Sequence, residues 1–217
     1  MPSKLRTPLS RDRILRAAID LADRDGFEGC TMRRLGAQLG VEAMSLYRHV
    51  TSKEDLLSGL VDLVFAEVEV DEPGTTEWRT AMRDRVHSHR AAMRRHRWAI
   101  GLMEGRMQPG PASLRVHDAT LGILREAGFP FRAAVHANSV LDAYVYGFAL
   151  QERDLPAQAD GATAEVMREQ ARHVPEIRDF PYLVEAMGEF AEAGYDYDAE
   201  FAFGLELILD GIERLRS

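Results

Sequence analysis

Between Thr31 and Val50 the chain reads TMRRLGAQLGVEAMSLYRHV, two short apolar stripes divided by glycine. Few architectures can use such a segment. Thr31 can cap a helix that ends at Leu39, Gly40 supplies the turn, and a second short helix follows over Ala43–His49. Leu35, Leu39, Val41, Leu46 and Val50 can form the small core shared by two steeply crossing helices. Gly36 permits their close approach, and Gly40 permits the positive φ of the turn. What remains on the later helix, Met44, Ser45, Tyr47, Arg48 and His49, is available to a DNA major groove. A plain helical hairpin with solvated polar residues has the same periodicity, so spacing alone leaves both readings open.

The rest of the chain keeps the helical period. Ser10 can cap a first helix whose stripe, Ile14, Ala17, Ala18, Leu21 and Ala22, stops at Gly26. Ser52 can cap a long fourth helix carrying Leu56, Leu57, Leu60, Leu63 and Val64 to about Val70, with Asp55 placed as in a capping box. Asp71–Thr76, with Pro73 and Gly74, is the clearest break. Helices are then predicted near 77–96, 97–104, 112–127, 131–152, 163–173, 181–193 and 198–215, with breaks at Pro109–Pro111, at Gly128–Pro130 and across Asp154–Gly161. The expected fold class is all-α: an N-terminal three-helix helix-turn-helix domain over residues 1–57, and a larger helical ligand-binding and dimerisation domain over 58–217.

Charge divides the same way. Residues 1–57 hold ten basic and eight acidic side chains, whereas the remainder is strongly acidic within a chain of net charge −8. An acidic body is repelled by phosphate, which confines any DNA contact to the N-terminal quarter. Cys30 is the only cysteine, so an internal disulfide is excluded and a reducing cytoplasm is the expected setting. Met1–Ser10 holds no apolar signal core, and no apolar run approaches the length of a membrane span, so no membrane partner is expected.

The run Leu46-Tyr47-Arg48-His49-Val50-Thr51-Ser52-Lys53-Glu54-Asp55-Leu56-Leu57 resembles the signature of the TetR (Tet repressor) family of transcriptional regulators, L-Y-x-H-V/F-x-x-K-x-x-L-L, and the lead-in Gly26-Phe27 is similar too. The resemblance implies a ligand-responsive repressor that binds palindromic double-stranded operator DNA as a homodimer. It places DNA contacts at Thr31, Met32 and Arg33, and at Ala43, Met44, Ser45, Tyr47, Arg48, His49 and Lys53. Arg33 and Arg48 suit a guanine or phosphate fork, Ser45 and Tyr47 carry hydroxyls, Met44 suits a thymine methyl, and Lys53 offers a point charge. Tyr47 could instead pack partly against the fourth helix.

Trp78–Arg153 and Phe201–Leu215 resemble the C-terminal domain of the family's tetracycline-responsive branch, chiefly in the break at Gly105–Pro109, in Glu126-Ala127-Gly128-Phe129 and in FGLELILDGIERL. That implies a pocket for a small organic ligand of unstated identity, lined by Arg85, His89, Met93, Met103, Arg106, Tyr144 and Gly147. Met93 and Met103 could equally be ordinary core. The resemblance also implies a subunit interface through Val140, Leu141, Phe148, Leu205, Ile208, Leu209 and Ile212, whose number exceeds one buried stripe. The branch's magnesium-chelating positions fall on Met103, Ala143 and Gln151, which are not hard-metal ligands, so no metal and no cofactor are expected. His87, His89 and His96 do not form a chelating cluster by spacing and are expected at the surface or singly hydrogen-bonded.

No glycine-rich phosphate loop, nucleophile elbow, zinc motif or cysteine pair is present, so no catalytic residue is expected and the chain is not expected to be an enzyme. The remaining alternative is a ligand-independent DNA- or partner-binding protein whose C-terminal domain only dimerises.

Overall fold

The computed structural model describes residues 8–103, 109–153, 179–193 and 196–216, and every regular element among them is helical. Arg106, the start of the break at Gly105–Pro109, the break across Asp154–Gly161 and the helix expected over 163–173 lie outside the described residues.

Local capping sets the first four helices. α1 (Arg11–Asp25) starts where the Ser10 hydroxyl oxygen accepts the Arg13 N–H at 3.2 Å and stops at Gly26, which takes φ +74°. α2 (Met32–Leu39) is capped by Thr31, whose hydroxyl oxygen accepts the Arg34 N–H at 3.3 Å, and ends at Gly40 in the left-handed region. A Cβ on Gly36 would stand 2.8 Å from the Val41 carbonyl and 3.2 Å from the Ala43 nitrogen, so only glycine lets α2 meet the next helix this closely. That helix, α3 (Ala43–Leu46), is shorter than the expected stretch to His49. After Leu46 the chain closes in turns that fold Val50 back into the core.

α4 (Lys53–Ala66) is capped by Ser52, whose hydroxyl oxygen accepts the Asp55 N–H at 3.0 Å. The Asp55 carboxylate does not close a capping box on Ser52. It accepts the Thr51 N–H at 2.8 Å and a two-pronged bond from Arg11 at 3.0 and 2.6 Å. The Arg11 hydrogen bond brings the Asp55 carboxyl down to about 2. Arg11 also donates to the His49 carbonyl at 3.1 Å, so one residue of α1 ties the turn after α3 to the start of α4.

Ile14, Leu21, Leu35, Leu46, Val50, Leu56 and Leu60 are fully or almost fully buried in one N-terminal core. α4 runs unbroken through residues 57 and 58, and Leu60 still belongs to that core, so the boundary expected after residue 57 falls inside a continuous helix. α4 ends at Ala66 rather than near Val70, because Val68 turns inward and is buried.

The larger unit contains α5 (Trp78–Arg95), a short turn at Arg97–Ala99, α6 (Ile100–Met103), α7 (Pro111–Glu126), α8 (Phe131–Glu152), α9 (Pro181–Ala193) and α10 (Tyr197–Glu213). α5 is arginine-rich yet packs against α4, α7 and α8. Its arginines are matched to carboxylates on its neighbours: Arg79 and Arg83 to Glu206, Arg85 to Asp142, Arg90 to Glu152 and Arg95 to Glu67, at 2.5 to 2.8 Å. Charges taken from water need such partners to be tolerated. The two units meet at Trp98 and Leu102, which pack on the N-terminal core, with the Trp98 ring stacked 6.0 Å from Phe27. Met103, the next residue, is buried on the other side with Met93 and Ile100. α6 is therefore a shared wall between the two cores.

Candidate DNA-reading surface and ligand site

Caps and turns around α3 leave a coherent exposed row. Met44 is 75% exposed and Tyr47 43%, and Arg33 and Arg48 are exposed with no side-chain hydrogen bond or ion pair among the described residues. Arg34 differs: it is bound to Asp25 at 2.5 Å and to the Gly29 carbonyl at 3.1 Å. Met32, Ala43, Ser45 and His49 are half-buried beside this row, and the Thr31 hydroxyl serves the α2 cap. Lys53 stands 5.0 Å over the Phe27 ring and 3.5 Å from Glu28, an exposed pair worth little energy and readily exchanged for a phosphate.

A second group of side chains converges inside the larger unit. Arg85 and His89 are each 1% exposed and lie one turn apart on α5. Arg85 Nη1 donates to Asp142 Oδ1 at 2.8 Å, while Nε and Nη2 have no hydrogen-bond partner among the described residues. The same is true of both ring nitrogens of His89 and of Asn138 Oδ1. Asn138 Nδ2 donates to Asp142 Oδ2 at 3.1 Å, and His117 Nε2 lies 3.4 Å from the same oxygen. The His89 ring is flanked by Phe65 at 5.5 Å and Tyr146 at 5.2 Å, in a cluster that includes Met93 and Met103.

Electrostatics follow from these contacts. Burial, reinforced by the Arg85 charge, lowers the His89 pKa to about 4, so the ring is neutral at pH 7. The hydrogen bond to Asp142 raises the His117 pKa against burial. Burial alone would raise the Asp142 pKa, but the His117 hydrogen bond and the Arg85 charge outweigh it and hold the carboxyl at about 2.

Several expectations need correction. Tyr144 does not face His89: its hydroxyl donates to the Phe201 carbonyl at 2.8 Å and its ring stacks on Phe201, in the seam between α8 and α10. Tyr146, two residues on and thus on another face of α8, takes the place expected for it. Gly147 is exposed on the outer face of α8, away from the cluster. Leu141, Leu205, Leu209 and Ile212 are sealed in the subunit's own core and cannot form a surface between subunits, while Phe148 and Ile208 are half-buried against that core. Val140 is exposed, as expected, and the other large apolar side chains exposed on these two helices are Phe131, Val135 and Leu150 of α8 with Phe203 and Leu207 of α10. His96 is not at the surface: it is buried between Asp23, 2.8 Å from Nδ1, and Glu67, 3.0 Å from Nε2.

Sequence reasoning missed Phe65, His117, Asn138, Asp142 and Tyr146. The last three recur every four residues on α8, a polar and aromatic stripe on an otherwise apolar helix, and that spacing was the available signal. Among the described residues no group of three or more metal-ligating side chains occurs, and no helix is long and apolar enough to cross a membrane.

Comparison with known proteins matches both units. Residues 14–60 fit the model described as bacterial regulatory proteins, tetR family, and residues 71–216 fit the tetracyclin repressor-like C-terminal domain. The HTH-type transcriptional repressor DrrR1 of Streptomyces coeruleorubidus is 34% identical, over 95% of this chain and 78% of that protein. The tetracycline repressor protein class A from transposon 1721 of Escherichia coli is 33% identical, over 97% of this chain and 93% of its own. The crystal structure of the Streptomyces coelicolor TetR family protein ActR in complex with actinorhodin superposes with a TM-score of 0.80 at 30% identity, covering 97% of this chain and 100% of that one. With a matching reading head, a matching C-terminal domain and repressors along nearly its whole length, the chain belongs to the TetR family of transcriptional regulators and is not an enzyme.

Proposed function

We propose that this regulator represses by binding a near-palindromic operator as a homodimer, and that a small organic ligand held between α5, α6 and α8 releases it. One observation carries the reading: a chain whose buried α5 arginine Arg85 and histidine His89 keep unpartnered polar atoms also exposes unpaired Arg33 and Arg48 on its reading head. Both are unfinished contacts, one suited to a small molecule and the other to DNA. A C-terminal domain that served only to dimerise would gain stability from filling its centre with apolar side chains, because orphaned buried polar atoms are destabilising.

Selection of bound duplexes from genomic fragments tests the operator half. Recovered sequences are expected to share an inverted repeat whose half-sites lie about 34–36 Å apart, one helical turn; fragments without a repeat would sink the dimeric reading. On the recovered duplex, Arg48→Ala should weaken binding by about 1–3 kcal/mol and relax preference at one base pair. Lys53→Ala should instead weaken all duplexes alike and lower the salt slope by about one unit. Equal losses on specific and random DNA for Arg48→Ala would make that arginine a phosphate contact.

A further inference from the structure

We propose that the effector seated against Arg85 is a planar aromatic anion that also carries a hydroxyl group, its acidic oxygens on Arg85 and its hydroxyl on Asn138. This rests on the ligand-release reading above and names the chemistry that the site would take.

The hydrogen-bond inventory defines the complement. Arg85 spends only Nη1 on Asp142, leaving one proton on Nε and two on Nη2 without acceptors in a residue that is 1% exposed. Asp142 does not serve them: Oδ1 takes Nη1 alone, and Oδ2 takes Asn138 and lies beside His117. The Arg85 guanidinium thus shares its one carboxylate with the His117 imidazole, whose pKa the Asp142 hydrogen bond raises. What the Nε–Nη2 fork lacks is a partner with two suitably spaced acceptor oxygens, which an anionic group supplies with the strongest bonds.

The other orphans ask for something different. Asn138 has committed Nδ2 to Asp142, so its free Oδ1 can only accept, and the ligand must bring a donor. His89, being neutral, presents one N–H and one lone pair and can serve a hydroxyl or a carbonyl. Phe65 and Tyr146 flank that ring, and Met103 lies in the same cluster; polarisable walls of this kind favour a flat aromatic body. A sugar phosphate would satisfy the arginine and waste the walls. A fatty acid would satisfy arginine and walls and leave Asn138 Oδ1 unmet.

Three probes dissect the claim: 6-hydroxy-2-naphthoate, whose hydroxyl is too far from its carboxylate to bond to it internally, 2-naphthoate and 2-naphthol, titrated calorimetrically into the full chain at pH 7. Hydroxynaphthoate should bind about tenfold or more tighter than 2-naphthol, the effect of one charge-assisted fork. Arg85→Met with Asp142→Asn, which strands no buried charge between that pair, should abolish this preference and leave 2-naphthol within about twofold of its original affinity. Asn138→Ala should bring hydroxynaphthoate down to the affinity of 2-naphthoate, and it carries the test if circular dichroism shows the double variant unfolded. Equal binding of hydroxynaphthoate and 2-naphthol to the unaltered protein overturns the proposal, as does a folded double variant that keeps the anion preference. Displacement of the selected operator is read separately. If hydroxynaphthoate binds with the expected side-chain dependence and the duplex stays bound, the ligand chemistry stands and the release reading falls.

Discussion

Phe203→Glu combined with Leu207→Glu is expected to give a folded monomer that has lost operator binding. Both side chains are exposed on α10, 64% and 58%, so their replacement should disturb the subunit's own stability by no more than about 0.5 kcal/mol. In a two-fold dimer each substitution meets its own copy or a near neighbour, and four carboxylates would have to lose water against apolar surface. The operator should then be read by one half at a time. Losing the linked second contact removes an avidity factor of about 10²–10⁴. Size-exclusion chromatography with light scattering reads the first effect, and anisotropy of a labelled duplex reads the second. An intact dimer would place the subunit interface elsewhere. Leu209→Glu serves as a contrast: that side chain is fully buried within the subunit, so its substitution should unfold the larger unit rather than separate two folded ones.

Acid should destabilise the protein steeply between pH 6.5 and pH 4, and His89→Phe should remove most of that slope. The folded His89 pKa, about 4, lies below the ordinary value of 6.5, so in this window the unfolded chain holds the extra proton. Stability is therefore full above pH 6.5 and is lost as the pH falls toward 4, by about 3 kcal/mol for a shift of this size. His117 works in the opposite sense and at higher pH: its raised pKa contributes stability below 6.5 that is lost as the pH rises through the folded value. The depressed Asp142 pKa, about 2, supplies stability that is lost only as the pH drops below the ordinary 3.8 toward 2. His87, also lowered by burial, adds to the His89 trend and remains in the variant. Urea midpoints measured every half pH unit for both proteins would separate these terms. Parallel curves would mean that His89 is not the group held neutral.

Much of the reading head was legible because caps are local. Ser10, Thr31 and Ser52 each bond an N–H three residues on, and Gly26 and Gly40 take the positive φ that the turns demand. Arg33 and Arg48, expected at DNA, are exposed and have no internal partner among the described residues. The larger unit was harder. α8 and α10 are apolar around most of their circumference, and the sequence shows that surplus without showing which half turns inward. Val140 and Leu141 are neighbours separated by about 100° on the helix, and only the packing of α10 and α5 decides that Leu141 is buried and Val140 exposed. The same ambiguity exchanged Tyr144 for Tyr146. His96 was misplaced because its two carboxylates, Asp23 and Glu67, come from distant stretches of chain.

α4 spans about 21 Å at 1.5 Å per residue, and its two ends are held differently. At the base, Glu67 is gripped by His96 and Arg95; at the top, Asp55 is fastened to Arg11 of α1. Such a rod gears small motions up. A tilt of about 10° about the base carries the top by about 4 Å, and in a two-fold pair the reading helices would part by up to about 7 Å, a fifth of the DNA repeat. No hydrogen bond inside the three-helix head has to break. Asp23 would resist such a swing, because it holds both the His96 ring at 2.8 Å and the Trp98 N–H at 2.6 Å, immediately before α6. Under the proposed release, a ligand that shifted Met103 would reach this contact from the opposite side of the same short helix, one helical turn away.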